Sequence, residues 1–218
     1  MKRLLTGCKS LDTLLGNGIE SGIITKIFGE AGTGKTNVCL QAARECANRN
    51  QRVVYIDSEG VSIERLRQIC NQKYDYEKIL KKILFKHPLT LEDQEKSISE
   101  AVKLQDVPLL IIDTINLLYR IEMEHDKQGS IRCFIRQMTN LQISARKNDL
   151  FILVTEQVYT DKNGRIQPFT NRDTEHMVKT VVRFDKKDVG KRQATIVKHR
   201  YQPEGKNIIF FLTEHGLE

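Results

Sequence analysis

Residues 29–36 have the types and the spacing needed to hold a phosphate group. They fit the pattern G-x-x-x-x-G-K-[ST], in which glycines let backbone N–H groups converge on phosphate oxygens. The pattern follows an apolar run and opens a helical stretch, so the positive end of a helix dipole would face the same point. The predicted cradle consists of Gly29, Glu30, Ala31, Gly32, Thr33, Gly34, Lys35 and Thr36. Asn37, which follows directly, is also a candidate nucleotide-binding residue.

Side chains within and beyond the cradle could complete a site for a nucleotide and a metal ion. We expect Lys35 to reach the β- and γ-phosphates of ATP, and the Thr36 hydroxyl to ligate Mg²⁺. Asp113 ends an apolar run, and an acid at the carboxyl end of a parallel strand lies beside the ligand crevice. We therefore favour a metal role for Asp113, through bound water, over a simple strand-end cap.

Glu59 is the candidate for activating a water molecule. It follows residues 53–57, which predict another strand that ends at the same crevice. A carboxylate there could polarise the water that attacks the γ-phosphate in line, with help from Mg²⁺ and Lys35. From spacing alone, a solvated loop acid is an equally good interpretation of Glu59.

The segments that must position these residues alternate between strand and helix patterns. Near-continuous apolar runs at residues 23–28, 53–57, 109–113 and 151–155 are typical of parallel strands that are covered on both faces. Helical spacing of apolar residues is found in residues 36–48 and 131–146, and the charge-rich residues 91–104 also predict a helix. This order predicts an α/β fold, a mostly parallel twisted sheet flanked by helices with right-handed crossovers.

The last forty residues have a different pattern. Residues 181–184, 194–198 and 208–212 read as strands, with turn signals at Val189-Gly190 and Pro203-Glu204-Gly205. Such short connections predict antiparallel strands at the C-terminal edge of the same sheet. We expect residues 1–218 to form a single domain.

Composition limits the cellular setting. Hydrophobic residues make up 39% of the chain and charged residues 29%, and the sequence contains neither a membrane-spanning run nor a signal-peptide pattern. The five cysteines lack zinc-ligand spacing, so we expect reduced thiols and a cytoplasmic location. The net charge of +7 fits a polyanion partner or an inert basic surface equally well.

The motifs together resemble those of a known family. The segment before the cradle, residues 6–19 with the sequence TGCKSLDTLLGNGI, is similar to the start of RecA/KaiC-type ATPase cores. Tyr55-Ile56-Asp57-Ser58-Glu59-Gly60 and Val154-Thr155-Glu156-Gln157-Val158 resemble the recombinases of archaea and eukaryotes. The tail Lys198-His199-Arg200-Tyr201-Gln202-Pro203-Glu204-Gly205 resembles the short archaeal recombinase paralogues. The resemblance implies a RecA-like P-loop ATPase core.

The same resemblance implies roles for individual residues. Glu59 corresponds to the acid that activates water, and Gln157 to the glutamine that senses the γ-phosphate. Arg65 corresponds to an arginine that stacks on adenine, although one residue fewer separates it from Glu59 than is common. Lys198 and Arg200 resemble a K-x-R pair that reaches a neighbouring subunit's phosphate; an exposed basic strand is an equally good interpretation.

In the recombinases two loops contact single-stranded DNA, and here they correspond to residues 121–130 and 159–177. The candidate DNA-binding residues beside or within them are Arg132, Arg136, Lys162, Arg165 and Arg172. The alternative is a solvated charged loop.

Some features depart from the strand-exchange enzymes. Glu122, Glu124 and Asp126 in the first loop oppose phosphate. Glu156 stands where asparagine is usual, and we expect this extra acid to disturb γ-phosphate sensing and to repel nucleic acid. We also expect neither the N-terminal helical DNA-binding domain nor the filament linker of the full-length recombinases.

The resemblance therefore implies a weak ATPase that binds single-stranded or branched DNA and assists recombinational repair. Its expected partners are repair proteins such as the main recombinase or a Holliday junction resolvase, and oligomerisation is possible. Two alternatives stay open, an ATP-switched binding module with negligible turnover and a KaiC-like single-domain signalling ATPase. A small-molecule kinase is disfavoured because Glu59 and Gln157 fit water activation and γ-phosphate sensing.

Overall fold

Strands and helices alternate along most of the computed structural model, which describes residues 2–160, 166–168 and 172–218. The strands are β1 Arg3–Leu4, β2 Ile19–Glu20, β3 Ile23–Gly29, β4 Val53–Asp57, β5 Ile83–Lys86, β6 Leu109–Asp113, β7 Phe151–Glu156, β8 Val158–Thr160, β9 Ile166–Pro168, β10 Val178–Lys186, β11 Lys191–Lys198, β12 Asn207–Thr213 and β13 Gly216–Leu217. The α-helices are α1 Lys9–Leu14, α2 Lys35–Asn48, α3 Ile63–Cys70, α4 Tyr76–Leu80, α5 Leu91–Ala101, α6 Leu117–Glu122 and α7 Lys127–Asn148. Short 3₁₀ helices cover Asn71–Lys73 and Arg172–Thr174.

Nine of the described strands form the central sheet, in the order β13-β12-β11-β10-β3-β7-β6-β4-β5. The six strands from β10 to β5 are parallel to one another. The strands β10 to β13 pair antiparallel at the C-terminal edge. The predicted fold class, a mostly parallel sheet with an antiparallel C-terminal edge, is confirmed.

Helices cover both faces of the parallel strands. Successive residues of β6 point to opposite faces, so that Leu109 and Ile111 join one apolar cluster while Leu110 and Ile112 join the other. The first cluster includes residues of α1 to α4, and the second includes residues of α5 to α7. This double burial explains why the parallel strands read as continuous apolar runs. Among the described helices, none is long and apolar enough to cross a membrane.

The two segments expected to be DNA-binding loops contain more regular structure than predicted. Helix α7 begins at Lys127 rather than at Ile131, so α6 and α7 occupy much of the first segment. The Asp126 carboxylate accepts a hydrogen bond of 2.9 Å from the Gly129 N–H and caps α7 there. In the second segment, β8 and β9 form an antiparallel pair, with Tyr159 opposite Gln167.

Candidate functional site

The predicted phosphate cradle lies where β3 gives way to α2. Gly32 and Gly34 have φ angles of +74° and +101°, in the left-handed region that residues with a Cβ rarely adopt. A Cβ on Gly29 would lie 2.3 Å from the carbonyl oxygen of Phe184, so this glycine allows β3 and β10 to approach closely. Helix α2 then begins at Lys35, and its first N–H groups have no partner within the helix. The turn therefore has the backbone form that binds phosphate.

Lys35 lies inside this turn. Its Nζ donates hydrogen bonds to the carbonyl oxygens of Gly29 at 2.8 Å and Glu30 at 3.0 Å. Burial lowers the pKa of Lys35, and the nearby carboxylates of Glu59 and Asp113 partly oppose that effect. The ammonium group is thus held at the mouth of the turn, where phosphate oxygens could replace the two carbonyl groups.

Asp113, at the end of β6, is the buried acid of the site. Its carboxylate accepts hydrogen bonds from the hydroxyl groups of Tyr55, at 2.7 Å, and Thr155. Burial raises the pKa of Asp113, and the hydrogen bonds from Thr155, Tyr55 and Thr36 lower it again in part. A buried carboxylate next to the Thr36 hydroxyl is a suitable oxygen donor set for a hydrated Mg²⁺.

Glu59 and Gln157 meet across the sheet edge. The Gln157 Nε2 donates to Glu59 Oε1 at 2.7 Å, and the Thr114 hydroxyl donates to the same oxygen at 3.0 Å. The Asn116 side chain fixes the Gln157 backbone, because it donates to its carbonyl group and accepts from its N–H, both at 3.0 Å. The structure therefore joins the predicted water-activating acid to the predicted γ-phosphate sensor.

A cavity of about 190 Å³ lies beside this pair, and Thr36, Glu59 and Asp113 line it together. Asp57 fixes the loop that lines this cavity. The Asp57 carboxylate accepts hydrogen bonds from the N–H groups of Glu59, Gly60 and Val61. This is an arrangement that holds the Glu59 backbone in place.

Arg65 also lines the cavity, but its guanidinium group is already hydrogen-bonded. It donates to the Asn37 side chain at 2.6 Å and to the carbonyl oxygens of Thr213 and Glu214 at 2.8 Å each. These bonds tie α3 to the start of α2 and to the C-terminal strands. Arg65 and Asn37 thus lie next to the cradle, and the adenine contact of Arg65 stays a prediction.

Lys198 and Arg200 lie at the opposite edge of the sheet, because β11 runs antiparallel to β10 and away from the cradle. The Lys198 Nζ donates to the Glu175 carbonyl oxygen at 3.1 Å, whereas Arg200 forms a 2.8 Å salt bridge with the buried Glu20. Strand β11 ends at Lys198, so strand alternation does not extend to Arg200. Their contact with a neighbouring subunit's phosphate stays a prediction.

The candidate DNA-binding residues have different surroundings. Arg132 is exposed on α7, but Arg136 makes a two-pronged salt bridge with Glu95 at 2.7 and 2.8 Å. Lys162 and Arg165 lie outside the described residues. For Arg172 the structure describes only a backbone in a 3₁₀ helix. Of the five residues, the structure describes the side chains of Arg132 and Arg136 only, and the DNA contacts of all five stay a prediction.

The interpretation of Glu156 as an acid that disturbs the site and repels nucleic acid is wrong. Its side chain is 1% exposed, whereas the side chain of Gln157 is bound to Glu59. Glu156 forms a buried ion pair with Lys26, at 3.0 Å. Lys26 therefore compensates the charge of Glu156, and burial shields that charge from solvent.

Sequence reasoning missed two basic residues beside the cradle, Lys186 and Arg192. They are directly opposite one another at the ends of β10 and β11. The Arg192 Nε donates to the Gly32 carbonyl oxygen at 3.1 Å, and a Cβ built on Gly32 would lie 3.5 Å from the Lys186 Nζ. The turn signal at Val189-Gly190 predicted the hairpin but not that β10 runs alongside β3.

With this geometry established, similarity to known proteins defines the family. The model of the Rad51 family matches residues 1–218. The chain belongs to the Rad51 family, and within it to the RadB group. The DNA repair and recombination protein RadB of Methanococcoides burtonii is 40% identical over 223 residues, which cover 99% of this chain and 97% of that protein. RadB of Archaeoglobus fulgidus is 38% identical over 226 residues, with both chains covered in full.

A solved structure gives the same result. The crystal structure of the RadB recombinase superimposes with a TM-score of 0.87 and 32% identity, covering 99% of this chain and 98% of the other. The resemblance to short archaeal recombinase paralogues is thereby confirmed. RadB proteins and this chain also agree in length, because each covers nearly all of the other.

Proposed function

We propose that this RadB-group protein binds ATP and Mg²⁺, hydrolyses ATP slowly, binds DNA and assists recombinational repair. The observation that carries the proposal is the convergence of the cradle, Asp113, Glu59 and Gln157 at one sheet edge. The relatives are named DNA repair and recombination proteins, which supports the cellular role.

The residues of the site fit a magnesium nucleotide. The left-handed glycines Gly32 and Gly34 keep the turn open for phosphate, and Lys35 supplies a positive charge there. Asp113 and Thr36 are the residues that would hold Mg²⁺. When bound, Mg²⁺ neutralises charge that develops on the phosphate oxygens.

Glu59 is suited to orient the attacking water. Its Oε1 accepts the hydrogen bonds from Gln157 and Thr114, and no group of the described residues donates to its Oε2. That oxygen could accept a hydrogen bond from water and align it for in-line attack on the γ-phosphate. Because Gln157 must leave Glu59 to contact the γ-phosphate, we expect slow turnover.

DNA binding is the second part of the proposal, and β8 and β9 are its structural basis. Strand β8 begins directly after Gln157, so a change in the hydrogen bonds of Gln157 would shift the backbone at the start of the second DNA-contacting segment. Glu122, Glu124 and Asp126 in the first segment oppose phosphate, which is why we propose an accessory role rather than efficient strand exchange. The main recombinase or a Holliday junction resolvase is the expected partner.

A strand-exchange assay with the purified protein tests this role. We expect ATP-dependent DNA binding with little joint-molecule formation, and robust joint molecules would contradict the accessory role. The salt dependence of oligonucleotide binding tests DNA contact itself, since each neutralised phosphate contributes about 0.7 to the log–log slope on a single strand. A slope near zero would exclude the DNA-binding part.

The contact between Gln157 and Glu59 also favours a second candidate function, an ATP-switched binding module with negligible turnover. ATP would then act as a ligand that shifts the β8–β9 segment between two states. Measuring phosphate release and DNA affinity together distinguishes the two candidate functions. A binding module would release no phosphate above background, although its DNA affinity would still differ between ATP and ADP.

A further inference from the structure

We propose that Lys186 and Arg192 form a second cationic side of the triphosphate site, within the same chain as the cradle. Arg192 holds the cradle backbone at Gly32, and Lys186 supplies a mobile positive charge to the terminal phosphates. The inference deepens the proposed function and rests on ATP being the ligand.

The sheet geometry places both side chains on the cradle face. Along β10, Val182 and Phe184 belong to the apolar cluster beneath α2, and Lys186 is the next residue of that alternation. Along β11, Ala194 belongs to the same cluster, and Arg192 precedes it in the same alternation. The apolar face of this hairpin therefore ends beside the cradle with two cationic side chains, Lys186 and Arg192.

Among the described residues, no acid balances the charges of the pair. Lys186 and Arg192 are cross-strand partners, an arrangement that is unfavourable for like charges unless an anion lies nearby. Within the described part of the chain, neither forms a salt bridge, and the carboxylate of the adjacent Asp185 is bound to Arg183. Two cations at the edge of a phosphate-binding turn, neither with an acidic partner among the described residues, fit an anionic ligand.

Each cation has its own task. Arg192 donates to the carbonyl oxygen of Gly32, and the N–H of the same peptide group belongs to Thr33, inside the cradle. A cation on the carbonyl oxygen polarises the peptide group and strengthens that N–H as a donor to phosphate. Arg192 is therefore a positioning residue.

Lys186, in contrast, is free to move. Its side chain is exposed and makes no hydrogen bond within the described residues. Its ammonium group nevertheless lies at the cradle, because a Cβ built on Gly32 would be 3.5 Å from both the Cε and the Nζ of Lys186. Magnesium-bound ATP remains an anion after Lys35 is counted, and Lys186 can supply the missing charge.

Nucleotide affinity tests the assignment. Titration calorimetry would compare ATP, ADP and AMP on the wild-type protein, Lys186→Ala, Lys186→Arg and Lys187→Ala. Lys187 is the matched control, because it is also exposed and its loss changes the net charge equally, but it lies beyond the end of β10. We expect Lys186→Ala to weaken ATP binding about tenfold or more, with AMP little changed. Lys186→Arg should restore most of the affinity.

The outcomes separate this inference from the proposed function. Equal ATP affinity in Lys186→Ala and Lys187→Ala would overturn the assignment, as would an equal loss for AMP. A loss of oligonucleotide binding with unchanged ATP affinity would assign Lys186 to a DNA surface instead. A wild-type protein that binds no ATP would overturn the proposed function itself. We expect Arg192→Gln to lower the affinities for ATP and for ADP by the same factor. Unchanged affinity for both nucleotides would show that Arg192 is not part of the site.

Discussion

Gln157 Nε2 lies 2.7 Å from Glu59 Oε1, although the two residues are 98 positions apart in the chain. The contact joins the end of β7 to the loop after β4, across the intervening strand β6. A ligand that draws Gln157 away from Glu59 would change both the carboxylate that faces water and the start of β8. One hydrogen bond thus links the proposed chemistry to the proposed DNA response.

Glu59→Gln should retain ATP binding and lose turnover. Glutamine keeps an oxygen for the hydrogen bonds from Gln157 and Thr114 but cannot act as a base. We expect phosphate release to fall about 10²–10⁴-fold, the usual contribution of general acid–base catalysis. Steady-state phosphate release and the Kd for ATP check this. Unchanged phosphate release would support the alternative interpretation, that Glu59 is a solvated loop acid.

Gln157→Ala should uncouple DNA binding from the nucleotide. The wild-type protein is expected to bind a labelled oligonucleotide with different affinity in ATP and in ADP, whereas the variant should give one value. Fluorescence anisotropy measures both, and Gln105→Ala is a matched control because Gln105 is exposed and precedes β6, away from the cradle. A variant that still distinguishes ATP from ADP would exclude Gln157 as the coupling residue.

Asp113→Asn should stabilise the metal-free protein. Because burial raises the pKa of Asp113, its contribution to stability is present at low pH and is lost as pH rises through the raised pKa. Asparagine stays neutral, so the stability advantage of the variant over the wild-type protein should grow from acidic to neutral pH. Each ~1 kcal/mol of that advantage should raise Tm by about 2–4 °C. With Mg²⁺ and ATP the order should reverse. Thermal unfolding in EDTA and in Mg²⁺ with ATP tests both; a variant less stable in every condition would contradict this account.

The buried ion pair between Lys26 and Glu156 should be needed for stability. Removing one partner leaves an uncompensated buried charge, so Glu156→Ala should lower the free energy of unfolding by about 3–5 kcal/mol. The double variant Lys26→Met/Glu156→Leu should recover much of this loss. Urea unfolding measures all three, with Glu64→Ala as the control, because the Glu64–Arg67 pair is exposed and should contribute less than about 1 kcal/mol. If Glu156→Ala costs no more than the control, the pair is not structural.

Local sequence signals predicted the parts of the fold and site that depend on neighbouring residues. The strands β4 and β6 were predicted with their exact bounds, because fully buried strands are continuous apolar runs that end at an acid. The cradle was predicted from one segment, and Asp113 and Glu59 from their places at strand ends. The strand order then explains why they meet.

Features that depend on distant residues could not be predicted in this way. The separation of Lys198 from Arg200 depends on Glu20, which lies far away in the chain and binds Arg200. The partner of Glu156 is likewise on a strand that the sequence alone does not place beside β7. These contacts are fixed by the order and register of strands, which a single sequence does not specify.

Whether the cradle binds ATP can be measured by titration calorimetry of ATP with Mg²⁺ into the wild-type protein and into Lys35→Ala. We expect saturable binding of one ATP per chain to the wild-type protein, and its loss when the ammonium group at the cradle is removed. No binding heat with the wild-type protein, or equal affinity in the two proteins, would show that the cradle is not an ATP site.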